Sequence, residues 1–219
     1  MTPKKVLVTI FAILLAAPSF VCAETGVRSE QGHILGFGVG FGLVDQVFSD
    51  SEVVLDNSST EFGLAANFRL GGVASEQLWV YFQSQQVVYR RETNCLTNPY
   101  ARSDDDFVPE IASVETVYVQ GISGLGISYF LAPQIPSIYF TGLFGMGYVL
   151  RHIGGSGDYG NFGFDLNMGL QGGIGYEFSH GKTVELQSMY AGFSDAEPGG
   201  IDDDMYVFNL TLSFNWMRY

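Results

Sequence analysis

Arg69, Glu177 and Glu185 each interrupt an oily stretch, flanked by Phe68 and Leu70, Tyr176 and Phe178, and Val184 and Leu186. Where side chains alternate between two faces, all three take the polar one. If that face lines an enclosed space, a guanidinium and two carboxylates form an ionic plug in it. Its simplest role is to satisfy interior charges that are costly alone; a proton or ion path is the more demanding one. Asp104, Asp105 and Asp106 make one acidic triplet and Asp202, Asp203 and Asp204 another, with Asp45, Asp50, Glu52 and Asp56 further upstream. Carboxylate oxygens suit Ca²⁺ or Mg²⁺, but EF-hand spacing is missing, so a solvated acidic rim is the simpler reading. His33, His152 and His180 lack metal-ligand spacing, and no cofactor is called for. Ser194 precedes Asp195 but has no imidazole beside it in sequence, and a serine hydroxyl is a poor nucleophile without a positioned base.

The elements that carry these residues are strands. From Asn161 to Phe178 the residues Phe162, Phe164, Leu166, Met168, Leu170, Ile174, Tyr176 and Phe178 share one parity, while Gly163, Asp165, Asn167, Gly169, Gln171, Gly173, Gly175 and Glu177 take the other. A globular strand is typically about 5–6 residues long, far shorter than this run. A strand crossing a bilayer obliquely needs roughly 9–11 residues and can project beyond it. The same period of two runs through Leu35–Leu43, Phe62–Leu70 and Tyr206–Trp216. Segments 78–90, 114–130, 138–150 and 183–192 complete a set of eight. In 114–130 the oily parity holds at Leu125, Ile127 and Tyr129 but falters at Gly121 and Ser123, which predicts a bulge or register change there. The fold class is therefore all-β, an eight-stranded antiparallel up-and-down transmembrane β-barrel.

Residues 1–23 read as a cleaved secretory signal: Lys4 and Lys5, an apolar run from Val6 to Ala17, and Val21-Cys22-Ala23 at the cleavage site. A lipoprotein anchored at Cys22 is the competing reading, but Val21 is bulkier than such a site prefers. Residues 24–219 then form one barrel domain. Loss of the two lysines makes the formal charge of −13 more negative still, which argues against nucleic acid as a partner. Cys95 alone remains, in what reads as a loop, so no intramolecular disulfide forms. A closed barrel supplies stability instead, because every strand finds two neighbours. The connections 71–77, 132–137 and 179–182 are short. Those at 45–60, 91–113, 151–160 and 193–204 are long and acidic. Short periplasmic turns and long outer loops are the rule in outer-membrane barrels, so both termini are expected in the periplasm.

The chain resembles the small eight-stranded outer-membrane barrels of the OmpA transmembrane-domain and OmpX type over nearly all of residues 32–219. The most family-like stretch is GGIGYEFSHGKTVELQSMY, a strand, tight turn and strand. That resemblance implies a terminal aromatic read by the barrel-assembly machinery, which Tyr219 supplies, although its parity is opposite to that of Trp216 and Phe214. It also implies contact with outer-membrane lipids and lipopolysaccharide, whose phosphates divalent ions could bridge to the acidic loops. Eight strands enclose a lumen just wide enough for side chains, so a general porin is not expected. Interior glycines such as Gly36, Gly38, Gly40, Gly145, Gly147, Gly173 and Gly175 suit close packing beside Trp79 and Tyr81 better than a ligand cavity.

YAGFSDAEPGG, from Tyr190 to Gly200, is similar to a second family, the PagL-type lipid A deacylases, which are also eight-stranded barrels. Ser194 falls where that family's nucleophile would, but Gly192 stands in place of its histidine and Asp195 in place of its asparagine. Lipid A deacylation is thus the enzymatic alternative. The expectation is a non-catalytic surface barrel serving envelope integrity, adhesion or passage of small amphiphiles.

Overall fold

Alternation at every second residue places one set of side chains inside a curved sheet and the other outside. The computed structural model describes residues 28, 32–48, 58–96, 111–153, 161–193 and 205–219. Its strands are β1 (Gly32–Phe48), β2 (Ser58–Ser75), β3 (Leu78–Leu96), β4 (Ile111–Phe130), β5 (Ser137–Ile153), β6 (Asn161–Ser179), β7 (Lys182–Phe193) and β8 (Met205–Arg218). Each pairs antiparallel with the next, and β8 returns to β1 from Leu35↔Arg218 to Phe48↔Met205, which closes the barrel. Closure leaves no strand edge with unpaired backbone groups.

The outward set is apolar. Leu35, Phe37, Val39 and Phe41 on β1 are each more than half exposed, as are Phe164, Leu166, Leu170, Leu125 and Ile127. A water-soluble domain would bury these residues; here they are the surface. The inward set forms three layers. At the turn end lie Ile34, Trp79, Tyr81, Phe130, Tyr139 and Met217. At the loop end lies a larger apolar cluster that includes Val44, Val87, Tyr89, Ile122, Val149, Met189, Phe193 and Met205. Buried amides, among them Asn67, Gln83, Gln85, Gln171, Gln187 and Asn215, occupy the space between.

Two glycines show what closure requires. At Gly40 an added Cβ would lie 2.0 Å from the Leu212 carbonyl oxygen, so the β1–β8 seam needs bare backbone there. Gly181, with φ of 67°, makes the two-residue turn between β6 and β7, where a Cβ would meet the Met217 carbonyl at 1.8 Å.

Three expectations are corrected. The strands run further toward the loop end than alternation indicates, because backbone pairing continues after the side-chain pattern fades. Asp45 is therefore in β1 opposite Thr60, Cys95 is in β3 opposite Ala112, and Arg151 and His152 are in β5. At the other end β2 continues to Ser75, so 71–77 is mostly strand, with a register shift between Val73 and Ser75. Finally, β4 carries no bulge at Gly121 or Ser123: its ladders to β3 and β5 keep one register throughout. Parity holds there while polarity changes, so small and polar side chains face outward among apolar neighbours.

Candidate functional site

Two buried ion pairs of the lumen lie at the turn end, and β2, the β6–β7 hairpin and Arg28 supply them. Arg69 on β2 meets Glu185 on β7 through both guanidinium nitrogens, Nη1 to Oε1 and Nη2 to Oε2. Its Nε donates to Gln83 Oε1 at 2.8 Å, and its plane lies 5.1 Å from the centre of the Tyr81 ring. The Tyr139 hydroxyl donates to the same Glu185 carboxylate. Arg69 and Glu185 are both fully enclosed. This bidentate geometry is the strong form of an ion pair, and it needs every partner in place, because a buried charge left alone is expensive.

Glu177 belongs to a second pair. Its cation is Arg28, whose Nε stands 2.7 Å from Glu177 Oε2, both side chains being fully buried. Tyr219 donates its hydroxyl to Glu177 Oε1 at 2.5 Å, and the backbone N–H of Gly181 donates to the same oxygen at 3.1 Å. Burial and the neighbouring carboxylate raise the Tyr219 phenol above its ordinary range. Arg28 also lies 3.8 Å over the Phe130 ring, and its backbone N–H reaches Pro133 O at 3.3 Å. Two separate pairs thus replace the single cluster of Arg69 with both glutamates. Sequence reasoning missed Arg28 because it precedes the first strand, where no periodicity assigns a direction.

The odd parity of Tyr219 now has a physical reason. It shares the inward parity of Met217, and its ring packs 4.5 Å from those of Trp79 and His180. It is part of the plug, whereas Trp216 is outward and stacks with Phe37 at 5.5 Å. Interior glycines serve the same packing. A Cβ at Gly175 would be 2.2 Å from the Tyr139 ring, and one at Gly126 would be 2.5 Å from that of Tyr81, so these glycines receive the aromatics of the plug.

Ser194, Asp195, Asp104, Asp105, Asp106, Asp202, Asp203 and Asp204 lie outside the described residues. Gly192, where the deacylase family has histidine, sits beside the Tyr206 ring. Among the described residues no group of three or more His, Cys, Asp or Glu side chains could hold a metal. Toward the loop end, Arg91 donates to Gln46 at 3.0 Å and Arg151 stands 3.4 Å from Asp165.

A closed eight-strand ring of this kind has counterparts among solved structures. OprG from Pseudomonas aeruginosa, an outer membrane protein, aligns with 89% of this chain and 100% of its own at 11% identity and a TM-score of 0.54. Neisserial surface protein A aligns with 86% of this chain and 99% of its own at 9% identity, TM-score 0.53. This is the fold of the small outer-membrane barrels. The attachment invasion locus protein of Yersinia pestis, solved with the heparin analogue sucrose octasulfate, aligns with 84% of this chain and 99% of its own at 10% identity and a TM-score of 0.50. No protein-family model and no curated sequence matches the chain. The shared property of these small barrels is architecture, and one scaffold hosts many functions.

Proposed function

We infer that the chain is a non-catalytic outer-membrane barrel that holds acidic loops at the cell surface. The observation that carries this is the pairing of an apolar outer wall with an interior packed by two clusters of buried side chains. The wall suits hydrocarbon, since each described strand pairs with two neighbours and most outward side chains are apolar. The described lumen is crowded: two buried ion pairs and five aromatic rings occupy its turn end, and an apolar cluster occupies its loop end. The ion pairs stabilise the barrel and carry nothing through it.

On this reading residues 1–23 direct export, the barrel-assembly machinery inserts the chain, both termini stay in the periplasm and the long connections face outside. Ligand chemistry follows from charge. A chain of formal charge −13 with aspartate triplets in its loops repels a polysulfated sugar of the kind bound to the Yersinia protein. Cationic partners, or lipopolysaccharide phosphates bridged by divalent ions, fit instead. Lipid A deacylation gains no support, since no imidazole stands at Gly192.

Protease added to intact cells tests the arrangement. Cutting is expected within 97–110 and 194–204, with 76–77 and 131–136 spared until the outer membrane is opened. Cutting confined to the short turns would invert the topology, and full protection of all four would remove the barrel from the surface.

A further inference from the structure

The outward face of β3, β4 and β5 departs from the rest of the wall. Register places Ala66, Gln86, Gly121 and Tyr148 side by side on one rung, and Phe68, Ser84, Ser123 and Met146 on the next. Gln86 is exposed, and the Ser123 hydroxyl donates to that of Ser84 at 2.8 Å. The Tyr148 ring folds back over Gly121, where a Cβ would lie 2.6 Å from its hydroxyl oxygen. That hydroxyl points toward Ser84, Ser123 and Gln86. Four polar side chains therefore converge on one outward spot.

Its depth matters. Toward the turn end the wall continues as Phe82, Leu125 and Phe144, and toward the loop end as Val88 and Leu150, all exposed and apolar. The first charged outward pair above the spot, Arg90 with Glu115, is exposed at the loop end. Arg90 is four residues from Gln86, roughly 13 Å along the strand. An apolar belt is about 25 Å tall in such barrels, so the polar spot lies near its middle. Among the described residues no other outward position at this depth gathers polar side chains; Ser188 on β7 stands by itself and bonds the Gly172 carbonyl.

Lipid tails offer no hydrogen bonds, and unsatisfied polar groups in hydrocarbon are costly. The serine hydroxyls satisfy one another, but a carboxamide carries two donors and a two-lone-pair acceptor, more than the one phenol beside it can meet. The leftover capacity of Gln86 is uncharged and both donor and acceptor, so it complements itself: two copies across a twofold axis exchange N–H for C=O reciprocally. Ala66 and the two serines keep the surface low beside the Tyr148 ring, and small residues allow close approach between membrane elements. A shallow, open depression beside it on β2, β3 and β4, lined by Phe62, Leu64, Val88, Arg90 and Val117, adds apolar contact surface.

We propose, on the reading that the outer wall meets lipid, that this face is a self-association surface on which a second copy of the chain docks within the membrane. The contact is isologous, the same patch meeting itself, with Gln86 at its axis. The partner shields the polar spot from hydrocarbon.

The test is site-directed disulfide formation between barrels refolded into phosphatidylcholine vesicles, in a background carrying Cys22→Ser and Cys95→Ser. Gln86→Cys is expected to yield a covalent dimer under mild oxidation, and Leu212→Cys, across the barrel on β8, to remain monomeric. Energy transfer between labelled copies, followed as lipid is added, reads association without crosslinking. There Gln86→Leu is expected to weaken dimerisation roughly tenfold, within the range of hydrogen bonds between membrane segments, while the heat-modifiable folded band is retained. Equal crosslinking at both sites, or crosslinking at neither, overturns the proposal. So does a pure barrel that stays monomeric while Gln86→Cys captures a different protein in native membranes. Barrels that insert yet remain monomeric defeat the docking surface and leave the membrane reading standing; barrels that fail to insert defeat both.

Discussion

Arg69 shows how much one residue can depend on the partners that enclose it. Its guanidinium is held by Glu185 and Gln83 and lies against the Tyr81 ring. Replacing it by leucine leaves the Glu185 carboxylate buried with a tyrosine hydroxyl but no cation. Losing one member of a buried pair costs about 3–5 kcal/mol, whereas replacing both by apolar groups is often near neutral. Arg69→Leu is accordingly expected to lose the compact band of unheated gels at a clearly lower temperature. Adding Glu185→Leu should restore most of that loss. If the double variant melts lower still, or if Arg69→Leu melts with the wild type, the pair is not the buried device described. The Arg28–Glu177 pair holds Arg28 at the turn end of the barrel, where Arg28 also bonds the connection between β4 and β5.

Among the strands, β1 bears the strictest demand. Gly36, Gly38, Gly40 and Gly42 all face inward on it, and the Cβ that Gly40 lacks would fall on the backbone of β8 and not on a movable side chain. Since β1–β8 pairing closes the barrel, Gly40→Ala forces the seam apart. Overpacking of this kind typically costs about 1–3 kcal/mol, occasionally more. Gly172, whose Cβ would meet only the Thr141 oxygen at 3.9 Å, is the matched control. Gly40→Ala should refold in markedly lower yield or melt earlier, and Gly172→Ala should behave as the wild type. Equal behaviour would mean that the seam relaxes freely. Strand β4 shows the converse: Gly121 and Ser123 look like a break in pattern, yet the ladder runs straight through them.

For the whole molecule, a filled lumen predicts a tight barrel. Vesicles containing the refolded protein should retain small sugars and ions as well as empty vesicles do over the same period. An Arg69→Ala, Tyr139→Ala double variant, which empties part of the plug, should leak measurably more if it still inserts. Rapid efflux through the wild type would show that the interior rearranges and would return passage of small solutes to consideration. The same closure stabilises the sheet: every strand has two neighbours, and no edge needs protection.

Local pattern determined most of the architecture. A period of two is enough to assign eight strands, their inward and outward faces and the order of short and long connections, because each strand's side-chain alternation is a local property. It places Arg69, Glu177 and Glu185 in the lumen for the same reason. Pairing between distant strands is not local. Which cation meets which carboxylate depends on register around the ring and on Arg28, which no periodic segment contains; hence Glu177 was separable from Arg69 only in three dimensions. Strand ends escaped the sequence because backbone hydrogen bonds continue where side-chain contrast stops. The outward cluster of Ser84, Gln86, Ser123 and Tyr148 is spread over three strands, and only closure and register bring it to one spot.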